Sequence, residues 1–365
     1  MRSSVLVMLL TAMAASAQTY ELTREVWTGT EAAEVVSVPF YHLPPLPEPD
    51  FAWGFYFDEG RIPEDLRTDA YVRLCMRQMA AAGMNTVTLY GDASRAAQGL
   101  TIAMEEGLVA TQPVMLLGCG PAGPARVPEG APELVGYGPD EPRVEDAEAV
   151  AASVAAWNVA GYRCATAIKP DALAGGASLD IWIVNARGLG EHCVRPGHEL
   201  WMYECRFRGT NAPLHRYWTG LYAYAMHRRY DVRACWTWGY LHDDDSRFRY
   251  GREGTWRWDT IGRYEHALCA PEGPLGTVGL DGMAQGVLDF RILHALEEAG
   301  GAKGWLDALV ARVPSEFWRG VEPRSTSPLQ FANMWDVHDT ATPVIDVEAE
   351  IRTATRLLLA EKAGY

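Results

Sequence analysis

The chain lacks an apolar run long enough to cross a bilayer, which takes roughly 20 residues; the longest candidate, Val5 to Met13, is too short. It has no HExxH or other metal-ligand spacing among its histidines, of which His192, His198, His215 and His242 fall in the later half. It has no CxxC pair, so a zinc cluster has no spacing to support it. No GxSxG elbow is present, which argues against a serine esterase of the α/β-hydrolase type. No glycine-rich phosphate loop opens a helix either: Gly118-Cys119-Gly120-Pro121 lacks the third glycine and the helix that should follow. Basic residues are short as well. Lys and Arg number 32 against 47 Asp and Glu, a formal net charge of −15. Such a surface disfavours nucleic acid, whose phosphates need Lys and Arg. It also counts against strongly anionic glycans, unless a local basic patch overrides the global charge.

The seven cysteines, Cys75, Cys119, Cys164, Cys193, Cys205, Cys235 and Cys269, are odd in number. Several sit in apolar runs and are expected to be buried thiols, with one or two disulfides still compatible with export. Export itself is expected from residues 1–17. Arg2 supplies a positive start, Val5 to Met13 is mostly apolar, and Ala15-Ser16-Ala17 is a small-residue cleavage site, so a mature chain would begin near Gln18 in the periplasm or outside the cell.

Residues 18–50 read as an extension, with β-type runs such as Val35-Val36-Ser37-Val38 and then a proline-rich connector, Leu43-Pro44-Pro45-Leu46-Pro47-Glu48-Pro49. From Ala52 onward strand and helix signals alternate. Strands are expected at 52–58, 85–90, 113–117, 134–137, 163–168, 179–185, 199–205 and 233–238. Helices are expected at 65–83, 93–107, 144–160, 214–229 and 277–299, and the Pro/Gly-rich stretch 118–132 has no helix. Eight strands in β/α alternation over residues 51–300 predict an α/β fold, a single (β/α)8 TIM barrel, with residues 301–365 adding C-terminal helices at 303–313 and 344–361. An open doubly wound sheet is the alternative.

In such a barrel the catalytic face is the rim at the C-terminal strand ends. Tyr137-Gly138-Pro139-Asp140-Glu141-Pro142 lies there, between the strand 134–137 and the next helix. The two prolines stiffen a pair of adjacent carboxylates. Asp beside Glu suits glycoside hydrolysis, which needs a proton donor and a negative stabiliser; the plainer reading is an acidic turn capping the following helix. Glu141 would be the donor and would need a raised pKa, while Asp140 would stay ionised. The other strand ends carry Asp58, Tyr90, Asn185, Tyr203, Glu204, Trp236 and Trp238, with Trp182 just inside. Aromatic faces stack on sugar C–H surfaces and polar side chains pair with hydroxyls, so these are the candidate substrate-binding residues. Trp236 and Trp238 alternate on one strand and can share a face, lining the site or filling the barrel interior. Glu204 ends the seventh strand, where it could act as nucleophile opposite Glu141 or bind sugar hydroxyls, or pair with Arg206 or Arg208. His242-Asp243-Asp244-Asp245 reads as a solvated acidic loop rather than a calcium site.

The motif at 137–142 resembles the Asp-Glu-Pro site of glycoside hydrolase family 123 and its DUF4091-type relatives. Trp201-Met202-Tyr203-Glu204-Cys205, the segment Arg216 to Tyr224, and Ala234-Cys235-Trp236-Thr237-Trp238-Gly239-Tyr240 are similar to that family's late strand-helix-strand segment. Gly286-Val287-Leu288-Asp289-Phe290-Arg291-Ile292-Leu293 is similar to the relatives' closing helix, with Phe290 replacing its first aromatic and Ala284-Gln285 standing where that helix has Arg-Glu. The resemblance spans residues 52–299. It implies an exo-acting β-N-acetylgalactosaminidase with retaining, substrate-assisted catalysis and a GalNAc-terminated glycan as partner, needing neither metal nor cofactor. Glu141 would be acid and then base, Asp140 would orient the acetamido group, and Tyr203, Trp182, Trp236 and Trp238 would close around it. The family's usual β-sandwich before the barrel has no counterpart in so short an extension. Two alternatives stay open: a two-carboxylate glycosidase using Glu141 and Glu204, and a non-catalytic carbohydrate-binding barrel.

Overall fold

The computed structural model describes residues 19–28, 31–41, 43–205, 209, 211–241, 266–323 and 341–363. Eight parallel strands close into a barrel: β3 (Ala52–Tyr56), β4 (Thr86–Tyr90), β5 (Val114–Leu117), β6 (Leu134–Tyr137), β7 (Arg163–Ile168), β8 (Ile181–Asn185), β9 (Glu199–Glu204) and β10 (Val232–Trp238). Strand β10 pairs with both β9 and β3, so the sheet has no edge and the open-sheet alternative is excluded. An antiparallel hairpin, β1 (Thr19–Thr28) and β2 (Glu31–Tyr41), precedes the barrel. The proline-rich connector after it is strapped to the outer layer, where Arg291 donates to the Leu46 carbonyl at 3.2 Å and pairs with Glu48 at 2.6 Å.

The helices ring this barrel: α1 (Asp69–Ala81), α2 (Ala93–Glu105), α3 (Ala147–Val159), α4 (Ala212–Tyr217), α5 (Ala223–Tyr230), α6 (Val278–Ala299), α7 (Lys303–Arg312) and α8 (Val347–Ala363). Side-chain oxygens start the first two: Thr68 accepts from the Tyr71 amide, and Asp92 from the Ser94 and Arg95 amides. As the composition of 118–132 predicts, no helix joins β5 to β6. The expected helix at 214–229 is instead α4 and α5 separated by a π-turn, Trp218–Tyr222. Two short antiparallel pairs, β11 (Ala267–Ala270) with β12 (Gly273–Gly276) and β13 (Val321–Pro323) with β14 (Ala341–Pro343), are not legible as strands in the sequence.

Alternation along each strand sorts the side chains into two buried layers. Tyr56, Val135, Ala165, Ile183, Trp201 and Trp236 belong to the barrel interior, while Phe55, Val87, Cys164, Trp182, Met202 and Cys235 pack outward against the helices. The interior admits Trp236 because Gly54 faces it: a Cβ there would lie 2.6 Å from the indole. Cys75, Cys164, Cys193, Cys235 and Cys269 are buried, as their apolar context predicts. Residues 1–17, Arg206, Arg208 and the run His242 to Asp245 lie outside the described residues.

Candidate active site

After β6 the chain stays bonded to β7 instead of turning away. Gly138 N donates to the Ala165 carbonyl at 2.9 Å, Glu141 N to the Ala167 carbonyl at 3.0 Å, and Thr166 Oγ1 to the Pro139 carbonyl at 2.7 Å. Glu141 takes φ 42°, a left-handed conformation uncommon outside glycine that persists where surrounding bonds fix it. The plain capping reading fails here. The following 3-10 turn, Val144–Asp146, starts at Arg143, whose amide donates to Asp146 Oδ2 at 2.8 Å. Neither Asp140 nor Glu141 is the cap, and both side chains are engaged elsewhere.

Asp140 Oδ1 accepts from the Tyr137 hydroxyl at 2.5 Å, and the Ala167 amide donates to that hydroxyl at 3.2 Å. Burial, then the Asp140 charge, push the Tyr137 pKa up, so its phenol remains a donor. Glu141 Oε1 accepts from the Tyr203 hydroxyl at 2.8 Å, and Oε2 lies 2.7 Å from Lys169 Nζ. Burial alone would raise the Glu141 pKa. The hydrogen bonds from Lys169 and Tyr203, with the charges of Lys169 and Arg187, outweigh it and hold the carboxyl below its ordinary range. This corrects the expectation of a raised pKa: in the unliganded site Glu141 starts ionised.

Most of the predicted strand-end residues meet at this mouth. Asp58 begins the 3-10 turn Glu59–Arg61, accepting from Gly60 N at 2.8 Å and pairing with Arg61 at 3.4 Å. Burial chiefly raises the Tyr90 pKa, and the nearby Asp58 and Asp140 charges add to it. Asn185 Oδ1 accepts from Arg187 N at 3.1 Å, and its side chain lies beside the Tyr203 hydroxyl. Trp238 is partly buried, its ring 5.3 Å from that of Tyr56.

Three predicted residues are not there. Trp182 is on the outward register of β8; its Nε1 donates to the Gly176 carbonyl at 2.8 Å and its ring stacks on His198 at 4.4 Å. Trp236 faces inward but one pleat too low, fully buried between Trp201 and Tyr56, so it fills the barrel. Glu204 is fully buried on the outward face of β9, where Oε2 accepts from Trp318 Nε1 at 3.0 Å, Oε1 accepts from the Cys205 amide at 2.9 Å, and Arg187 lies 3.9 Å away. Burial pushes its pKa up, and Arg187 offsets only part of that. Trp318 and the Cys205 amide hold the carboxyl on the outward face of β9, on the opposite side of the strand from Tyr203.

Three residues of the mouth, Tyr56, Lys169 and Arg187, are not among the sequence candidates, and Tyr137 is named there in the motif without a role of its own. Tyr56, whose buried hydroxyl has no hydrogen-bond partner, meets the Tyr137 ring edge-on at 6.4 Å. The available signal was alternation, since Tyr56 and Tyr137 share the inward register with Ala52 and Val135, and Lys169 continues the register of Ala165 and Ala167. The mouth thus holds carboxylates that each have a donor (Arg61 on Asp58, Tyr137 on Asp140, Lys169 on Glu141), ringed by Tyr56, Tyr90, Tyr203 and Trp238.

No family model and no curated protein matches the chain. Among solved structures, the chain is similar to a family 123 glycoside hydrolase from Clostridium perfringens, described in work on the hydrolysis of glycolipid glycans. Identity is 12% and the TM-score 0.58, over 95% of this chain and 76% of that one, a likeness of fold.

Proposed function

We propose that this protein is an exo-acting glycoside hydrolase that releases terminal β-linked N-acetylgalactosamine with retention, using the substrate's own acetamido group as nucleophile. The observation that carries the reading is the division among the carboxylates. Asp140 and Glu141 stand side by side at the mouth, each held by its own donor, whereas Glu204, at the strand end expected to supply a protein nucleophile, is turned away. A pair on one side of the sugar suits a reaction whose nucleophile arrives with the substrate.

In the first step the acetamido oxygen attacks the anomeric carbon, the glycosidic bond breaks, and the leaving oxygen takes a proton from Glu141. Asp140, oriented by Tyr137, accepts the acetamido N–H and stabilises the oxazolinium charge. In the second step Glu141 takes a proton from water as it attacks the same carbon, the ring opens, and configuration is retained. Since Glu141 rests ionised against Lys169, it must gain a proton as substrate engages and the ammonium withdraws. Trp238 and Tyr203 offer surfaces for the sugar. The leader-like residues 1–17 support action after export, and the similarity to an enzyme of glycolipid glycan hydrolysis supports a glycan as substrate.

Hydrolysis of four matched aryl β-glycosides, of GalNAc, GlcNAc, galactose and glucose, tests the reading. Turnover confined to the GalNAc compound is expected. Turnover of the plain hexosides would contradict the acetamido nucleophile, and silence on all four would remove the exo-glycosidase.

A further inference from the structure

Three cations stand on successive loops at one side of the mouth of this strongly acidic chain. Arg143 follows the Asp-Glu pair after β6, Lys169 follows β7, and Arg187 follows β8. The Arg187 charge acts on Glu141, while Arg143, well exposed and 3.7 Å from Glu145, acts on Lys169. Lys169 is 56% exposed at its side chain and spends one hydrogen bond on Glu141, leaving ammonium donors open to the mouth. Arg187 is about one-third exposed, meets Glu204 only at 3.9 Å, and has a buried Nε with no hydrogen-bond partner.

The position of these cations follows from the role of Glu141, on which this inference rests. A proton donor in a glycosidase touches the glycosidic oxygen, so a group bonded to the donor's outer oxygen lies beside the leaving group. Lys169 occupies that place, 2.7 Å from Glu141 Oε2. We propose that Lys169 and Arg187, with Arg143 farther out, form a leaving-group subsite for a sugar bearing an anionic substituent, a carboxylate or a sulfate. Without such cations, an anion would be repelled by Asp58, Asp140, Glu141 and a net charge of −15. With them, the anion also does chemical work. It draws the Lys169 ammonium off Glu141, and the freed carboxyl holds a proton more readily. Recognition of the leaving group and arming of the acid become one event.

The test compares three disaccharides in which β-GalNAc is linked to glucose, to glucuronate, or to glucose 6-sulfate, with the aryl β-GalNAc glycoside as reference. For the wild-type protein, kcat/KM on at least one acidic disaccharide should exceed that on the neutral one by about tenfold or more, which is about 1.4 kcal/mol; which arm responds distinguishes carboxylate from sulfate. The ratio should fall toward one in Lys169→Met and in about 0.5 M salt, and Lys169→Arg should restore much of it. Arg187→Met is the second variant, and Lys169→Met, altered at an exposed side chain, keeps the test valid if Arg187→Met fails to fold. A neutral disaccharide cleaved as well as both acidic ones, or a preference that survives both Met variants, overturns the inference and leaves the glycosidase reading standing. Silence on the three disaccharides with the aryl compound still cleaved also overturns it; silence on all four substrates removes both.

Discussion

Glu141 is held at both oxygens, by Tyr203 from within the barrel and by Lys169 from the rim. Its ionised form is therefore favoured in the free site, although burial opposes this. The profile of kcat/KM reports the free protein and that of kcat the complex, so the alkaline-side inflection should come at lower pH in kcat/KM than in kcat. Removing the ammonium disfavours the carboxylate and raises its pKa. Lys169→Met should therefore move the kcat/KM inflection to higher pH; an unmoved inflection would show that Lys169 does not set the acid. The same pair adds to folding stability above the ordinary carboxylate range, and that contribution is lost as pH falls through the depressed Glu141 pKa. With Glu141 more than a third exposed, that contribution is small. Glu204 makes the opposite case. It touches Trp318 and the Cys205 amide on the far side of β9, so Glu204→Gln should keep kcat/KM within a few-fold of wild type on the aryl GalNAc substrate. A loss as large as that in Glu141→Gln would return Glu204 to the chemistry.

At the scale of elements, what could be read was the strand and what could not was its register. The bounds of β6 and β7 coincide with the apolar runs 134–137 and 163–168, because short β-branched and small residues between turn signals leave few other placements. Inward and outward faces are both buried in a barrel wrapped by helices, so composition does not distinguish them. For that reason the pattern does not distinguish the outward Trp182 and Glu204 from residues of the rim, and Lys169, one residue past its strand, carries no strand signal. The π-turn between α4 and α5 was hidden for a different one. It forms against α6, where Gly286 comes so close that an added Cβ would lie 2.1 Å from Thr219 Oγ1 and 2.5 Å from the Arg216 carbonyl. Beside it Arg216 makes a two-pronged pair with Asp289 at 2.5 and 3.0 Å. Tertiary packing there overrides local helix preference. Gly286→Ala should cost roughly 1–3 kcal/mol by overpacking, read as a lower denaturant midpoint at unchanged slope. A midpoint equal to wild type would mean the seam has room that the geometry denies it.

For the whole molecule, the barrel came from counting eight alternating strands, and the location of the site followed from it, since the C-terminal strand ends of such a barrel converge on one mouth. The Asp-Glu pair was legible because two prolines and a strand end isolate it in the chain. Its wiring was not, because Tyr137, Tyr203 and Lys169 reach it from β6, β9 and the loop after β7 through closure of the sheet. At 12% identity to the clostridial enzyme, the likeness between the two chains is one of architecture.

The most direct test is kcat/KM on an aryl β-N-acetylgalactosaminide for wild type and Asp140→Asn. If Asp140 holds the acetamido group and the charge that forms on it, the variant should lose about a hundredfold or more at unchanged fold. Activity within a few-fold of wild type would contradict the account at its centre.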